Sequence, residues 1–124
     1  MIDLILIDDD EFIRTSLRLL LREAEFVVTG EANNGKDGLD LIERLQPDVV
    51  CLDIQMPGMD GLETLQKIKE NWPDIAVLMI TGSAVRDSVD RALELGADGY
   101  VVKPFNADRI IKSIQAAHRN RTSP

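Results

Sequence analysis

Three apolar runs in this chain each stop at charged residues whose types can do chemistry together. Leu4-Ile5-Leu6-Ile7 meets Asp8, Asp9 and Asp10; Val49-Val50-Cys51-Leu52 meets Asp53; Tyr100-Val101-Val102 meets Lys103 and Pro104. If those runs are neighbouring parallel strands, the carboxylates and the ammonium gather at one edge of a sheet, the edge at which open α/β sheets bind ligands. Two carboxylates about 4 Å apart repel by roughly 4 kcal/mol at an effective dielectric of about 20. One lysine does not neutralise three or four such acids. A divalent cation with oxygen ligands does, so the spacing asks for a metal. The acidic run also suits a helix start, where carboxylates are favoured by the macrodipole, but capping needs one or two acids and not four in a row.

The elements that must position these groups are legible in the hydrophobic pattern. Leu4 to Ile7, Val49 to Leu52, Val77 to Ile80 and Gly99 to Val102 are short and continuous, as strands buried on both faces should be. Phe26 to Glu31 is a fifth, weaker candidate. Between them the period becomes helical. Ile13, Leu17, Leu20 and Leu21 share one face; Leu39, Ile42 and Leu45 a second; Leu62, Leu65 and Ile68 a third. Val89, Ala92 and Leu93 mark a fourth helix, and Ile110, Ile111 and Ile114 a fifth. Pro47, Pro73 and Gly96 follow the ends of helical patterns, and Asn106 stands where it can cap the last one. Five alternating β-α units predict an α/β fold, a doubly wound five-stranded parallel sheet between two layers of helices.

At 124 residues and 44% hydrophobic, the chain is expected to form one domain with a sizeable core. Residues 1–118 are assigned to that domain, and 119–124 to a frayed terminus or the first residues of a linker. Fourteen basic against 22 acidic side chains give a net charge of -8, and no basic cluster precedes Arg119 and Arg121, which argues against nucleic acid binding. Cys51 is a single cysteine inside an apolar run, so no internal disulfide and no thiolate zinc site is expected. Met1-Ile2-Asp3 lacks the basic region and long apolar stretch of a signal peptide, and no run approaches a membrane span. The expectation is a soluble, cytoplasmic protein that does not engage a membrane.

Asp53 is followed by Ile54-Gln55-Met56-Pro57-Gly58-Met59-Asp60-Gly61. By itself Asp53 could cap a loop, and Pro57-Gly58 could make a tight turn. The whole pattern, Leu52-Asp53-x-x-Met56-Pro57-x-Met59-Asp60-Gly61, resembles the phosphorylation loop of response regulator receiver domains, the CheY-like family of two-component signalling. The resemblance runs from Ile5 to Ile114 and includes four motifs in the right order. It implies the flavodoxin-like strand order 2-1-3-4-5. It also implies that Asp8 and Asp9 hold a metal, that Asp53 is the phosphoacceptor, and that Thr81 is the hydroxyl residue after the fourth strand. Tyr100 matches the switch aromatic, and Lys103 the lysine before Pro104, with a cis peptide between them. Asp10 and Glu11 read as helix-start charges.

The implied metal is Mg2+, with Mn2+ as a substitute, held by Asp9, Asp53, the backbone carbonyl of Gln55 and water, and by Asp8 partly through water. Gln55 and Ser83 occupy positions that in the family influence the hydrolytic water. Taken alone, Thr81 is a strand-end threonine, Lys103 an ordinary strand-end lysine and His118 a structural, exposed residue near a helix C-terminus. The resemblance implies a phosphoacceptor switch that takes a phosphoryl group from a sensor histidine kinase or histidine phosphotransfer protein. The response would be a changed surface on the fourth helix, fifth strand and fifth helix, from about Val85 to Ala117, offered to an output domain or target protein, with dimerisation a further outcome. Such a chain is no turnover enzyme, although it catalyses its own phosphorylation and dephosphorylation. Two alternatives stand beside this reading. One is a phosphohydrolase of the haloacid dehalogenase type, ranked low because that family has an Asp-x-Asp motif after the first strand, where this chain has a contiguous acidic run, and because 124 residues leave no room for a cap. The other is a receiver-like interaction module that takes no phosphate.

Overall fold

The computed structural model of the chain describes residues 1–56, 58–82 and 86–122. Strands and helices alternate: β1 (Ile2–Ile7), α1 (Glu11–Arg22), β2 (Phe26–Ala32), α2 (Gly35–Leu45), β3 (Val49–Asp53), α3 (Gly61–Asn71), β4 (Ala76–Thr81), α4 (Arg86–Glu94), β5 (Gly99–Val102) and α5 (Ala107–Thr122). The five strands form one parallel sheet in the order β2-β1-β3-β4-β5, as expected. Chain order reverses direction at β1, so the C-terminal ends of β1 and β3 flank the crevice where such sheets bind ligands.

Alternate residues of each strand feed two cores. Leu4, Leu6, Val49, Cys51, Leu78 and Val101 pack under α1 and α5 with Leu17, Leu21, Ile110 and Ile114. Ile5, Ile7, Val50, Leu52, Val77 and Met79 pack under α2, α3 and α4 with Ile42, Leu65, Ile68 and Ala92. Full burial of each such side chain contributes about 1.5–3 kcal/mol, so β3 and β4, buried along their whole length, anchor the sheet. Helix starts are fixed by side-chain caps: Asp10 accepts from the Phe12 N–H at 2.9 Å, Asn34 from Asp37 at 2.8 Å, Asp60 from Glu63 at 2.8 Å and Asn106 from Arg109 at 2.8 Å.

Several details depart from the sequence pattern. Leu45 and Leu93, grouped above with buried faces, are exposed. The buried face of α2 is instead Gly35, Gly38 and Ile42, because the helix lies so close to the sheet that a Cβ on Gly38 would stand 2.4 Å from Ile7 Cδ1. The last helix does not stop at His118 but continues to Thr122, and His118 itself is half-buried rather than exposed. β2 contains a bulge: Leu4 pairs with Val28 but Ile5 with Gly30, and the extra residue, Thr29, donates its hydroxyl to the Leu4 carbonyl at 3.2 Å. Among the described residues no helix is long and apolar enough to cross a membrane.

A buried ion pair that the sequence did not suggest ties the other edge of the sheet. Lys69, on α3, places Nζ 2.8 Å from Asp98 Oδ2 and 2.7 Å from the Ile75 carbonyl, and the same Asp98 oxygen accepts the Val77 N–H at 2.8 Å.

Candidate functional site

The C-terminal strand ends bring the predicted charges together. Asp8 directly follows β1 and is 3% exposed; Asp53 ends β3 and is 5% exposed; Lys103 directly follows β5. Lys103 Nζ donates to Asp8 Oδ2 at 3.1 Å and stands 3.8 Å from Asp53 Oδ2, close enough for attraction but too far for a hydrogen bond. Asp9 is exposed at the rim. One carboxylate oxygen from each of Asp8, Asp9 and Asp53 lies within 4.8 Å of the others. The site is therefore acid-rich, with one ammonium against three carboxylates.

Local hydrogen bonds hold each group. The Asp8 N–H donates to the Ala32 carbonyl at 3.1 Å, and Asp8 Oδ1 accepts the Asp10 N–H at 2.9 Å. Asp53 Oδ1 accepts the Gln55 N–H at 3.3 Å. Behind Asp53, the Gly61 N–H closes the loop onto the Ile54 carbonyl at 2.8 Å, and a Cβ on Gly61 would stand 2.1 Å from the Asp53 carbonyl oxygen. No other residue fits there without moving the backbone that carries Asp53. On the far side the Lys103 N–H donates to the Thr81 carbonyl at 2.7 Å, and the Lys103–Pro104 peptide is cis.

These surroundings shift the protonation of Asp53. Burial, the largest cause, and the charges of Asp8 and Asp9 push its carboxyl up from the usual 3.8 to about 6, against the lowering pull of Lys103 and the Gln55 N–H. Crowded acids prefer to stay protonated unless positive charge arrives. Three convergent carboxylates are hard oxygen donors, and that donor set suits a small divalent cation.

The structure thus unites Asp8, Asp9, Asp53 and Lys103. Thr81 is buried at the end of β4, next to β3, with its carbonyl held by Lys103. Tyr100 is 42% exposed on β5, opposite Met79, and so stands at the surface. Gln55 follows Asp53 on the loop with an exposed side chain. Ser83 and Pro57 lie outside the described residues. Sequence reasoning passed over Arg14, whose Nη1 donates to the Asp8 carbonyl at 2.7 Å. The one available signal was a basic residue one turn into the helix that follows the acidic run.

Comparison with known proteins agrees with this geometry. The family model described as response regulator receiver domain matches residues 4–115. Over 117 residues the chain is 37% identical to the chemotaxis protein CheY of Listeria monocytogenes, covering 94% of this chain and 98% of that protein. It is 39% identical over 115 residues to the nitrate/nitrite response regulator protein NarL of Escherichia coli, covering 92% of this chain but only 53% of NarL. The crystal structure of a CheY-like response regulator receiver domain protein from Methanospirillum hungatei superposes with a TM-score of 0.91 at 28% identity, covering 98% of this chain and 96% of that one.

Proposed function

The chain belongs to the response regulator receiver family of two-component signalling, and from that premise we propose that Asp53 is its phosphoacceptor. The observation that carries the reading is the placement of the Asp53 carboxylate, buried at the end of β3 with Lys103 Nζ 3.8 Å away and Asp8 and Asp9 converging on it. An oxygen of Asp53 attacks phosphorus in line, forming an O–P bond as the bond to a histidine imidazole nitrogen, or to the oxygen of a small phosphodonor, breaks. The leaving group departs with the electron pair of the broken bond. The Lys103 ammonium offsets the charge on the phosphoryl oxygens, and the Thr81 hydroxyl donates a hydrogen bond to the product. Asp8 keeps Lys103 at the site through their 3.1 Å contact.

Asp8, Asp9, Asp53 and the Gln55 carbonyl would hold Mg2+, or Mn2+ in its place, with Asp8 acting partly through water. When bound, the cation supplies positive charge for the phosphoryl oxygens and lets Asp53 stay ionised. Lys103 and the cation divide the work: the lysine is permanent, and the cation meets the remaining acid excess.

The domain is assigned to residues 1–118 and the segment 119–124 to a tail or the beginning of a linker. The phosphoryl source is a sensor histidine kinase or a histidine phosphotransfer protein. Product formation draws Thr81 inward and Tyr100 after it, which changes the α4-β5-α5 surface presented to an output domain, a target or a second copy. Gln55 and Ser83 set the access of hydrolytic water and hence the lifetime of the signal. The phosphohydrolase alternative would place its nucleophile after the first strand, at Asp8, whose carboxylate is engaged by the Asp10 N–H and by Lys103 Nζ.

Intact-protein mass spectrometry after incubation with acetyl phosphate and Mg2+ tests the proposal. The expected result is one added phosphoryl group that disappears in Asp53→Asn and with a chelator. Labelling that survives Asp53→Asn would overturn it, and absence of labelling in a folded wild-type protein would leave the interaction-module reading.

A further inference from the structure

We propose that Arg14 is a positioning residue for the cation site: it acts through the main chain of Asp8 to set where the Asp9 carboxylate stands. The inference rests on the phosphoacceptor reading above and extends it to a residue that touches neither cation nor phosphoryl group.

Asp8 is gripped on every side. Its N–H is bound to Ala32 on β2, its carboxylate to the Asp10 N–H and to Lys103, and its carbonyl to Arg14 Nη1 at 2.7 Å. Asp9 is different. It is exposed, and among the described residues no hydrogen bond or ion pair holds its carboxylate. What the structure holds of Asp9 is the peptide plane it hangs from. Because that plane is rigid, holding the Asp8 carbonyl also fixes the direction in which the Asp9 N–H and Cα leave it. Arg14 is itself braced, since its Nε meets Glu31 Oε1 at 3.3 Å and Glu31 also pairs with Arg18 Nη1. Glu31 lies on β2 opposite Leu6 of β1, so the brace is anchored in the sheet.

The sign of the effect separates positioning from simple charge. Arg14 is a cation beside a cation site, so on charge alone its removal would tighten Mg2+ binding. Positioning predicts the reverse, because losing an outer partner that orients a ligand typically weakens metal affinity by about 10–100-fold.

Isothermal titration with MgCl2, well below the melting temperature of each variant, reads this directly. Arg14→Ala is expected to raise the Mg2+ dissociation constant about tenfold. Arg14→Lys, which keeps one donor of nearly the right reach, should recover part of that loss. In acetyl phosphate labelling, the Mg2+ concentration for half-maximal rate should rise in the same ratio while the rate at saturating Mg2+ is largely kept. A merely structural role would lower the melting temperature and leave the dissociation constant alone. Equal or tighter Mg2+ binding by Arg14→Ala, beside a wild type whose binding is lost in Asp9→Asn, overturns this inference only. If Arg14→Ala does not fold, Arg14→Met, which keeps the apolar stem and removes every donor, takes its place, and Mg2+ binding by it equal to wild type overturns the inference. A wild type that binds no Mg2+ overturns the metal reading and this inference together.

Discussion

The two edges of the sheet each bury a lysine against aspartate, and they do so to opposite ends. At the N-terminal edge Lys69 pairs with Asp98, and each also bonds backbone, Lys69 at the Ile75 carbonyl and Asp98 at the Val77 N–H. At the C-terminal edge Lys103 faces Asp8 and Asp53 with Asp9 nearby, and the Asp53 contact stops at 3.8 Å. The first arrangement sets an ammonium against a carboxylate and ties both to the backbone. The second carries surplus negative charge and a carboxyl pushed up to about 6, a state relieved by a proton or by incoming positive charge. A buried charge is thus structural or reactive according to whether its partners saturate it.

Breaking the Lys69–Asp98 pair should have the largest effect on stability. Lys69→Met removes the ammonium from the buried Asp98 carboxylate, and removing one partner of such a pair costs about 3–5 kcal/mol, read as a lower urea midpoint. The Mg2+ affinity of the folded variant should be unchanged. Loss of Mg2+ binding in that variant would show that the two edges are coupled.

Filling the open site is the next largest effect. Mg2+ at a hundredfold its dissociation constant should stabilise the protein by about 2.7 kcal/mol, measured by denaturant titration with and without chelator at neutral pH. Lys69→Met should gain the same increment, because its damage lies at the other edge.

Neutralising the surplus is the smallest effect and has the opposite sign to the first. The Asp53 carboxyl binds its proton more tightly in the folded state, at about 6 against 3.8 for the ordinary value, so metal-free stability falls as pH rises through that window and levels off above it. Asp53→Asn lacks this fall. At pH 7.5 without metal it should be more stable than wild type by roughly 1–2 kcal/mol, less than the full shift because the site opens to solvent beside Asp9. The gain should vanish below about pH 4. An advantage that persists at low pH would assign it to something other than charge.

Much of this was legible in the sequence for one physical reason: buried parallel strands read as uninterrupted apolar runs, and the first charged residue after each marks the sheet edge. That logic found Asp8, Asp53 and Lys103, together with the alternation that places them in one crevice. It did not find Arg14, whose partner is a backbone carbonyl, a group every residue has and no pattern flags. Nor did it find Lys69 and Asp98, which are 29 residues apart in the chain and meet only once α3 is packed on the sheet. Leu45 follows the helical period yet stays exposed, because α2 meets the sheet through Gly35, Gly38 and Ile42; nothing in the structure explains the exposure of Leu93 on α4. The exposure of Tyr100 goes with its place on β5, an edge strand, and edge position is not reported by periodicity.

The bulge at Thr29 has a consequence for how copies of this chain meet one another. β2 is a seven-residue strand at the margin of the sheet, and a straight, unpaired margin is a template onto which another chain can add a strand. The extra residue increases the local twist of β2 and breaks the regular repeat of its outward N–H and C=O groups. Its hydroxyl bond to Leu4 keeps that distortion in place. An irregularity inside the sheet therefore serves as protection outside it, leaving association to side-chain surfaces and closing off uncontrolled growth through the backbone.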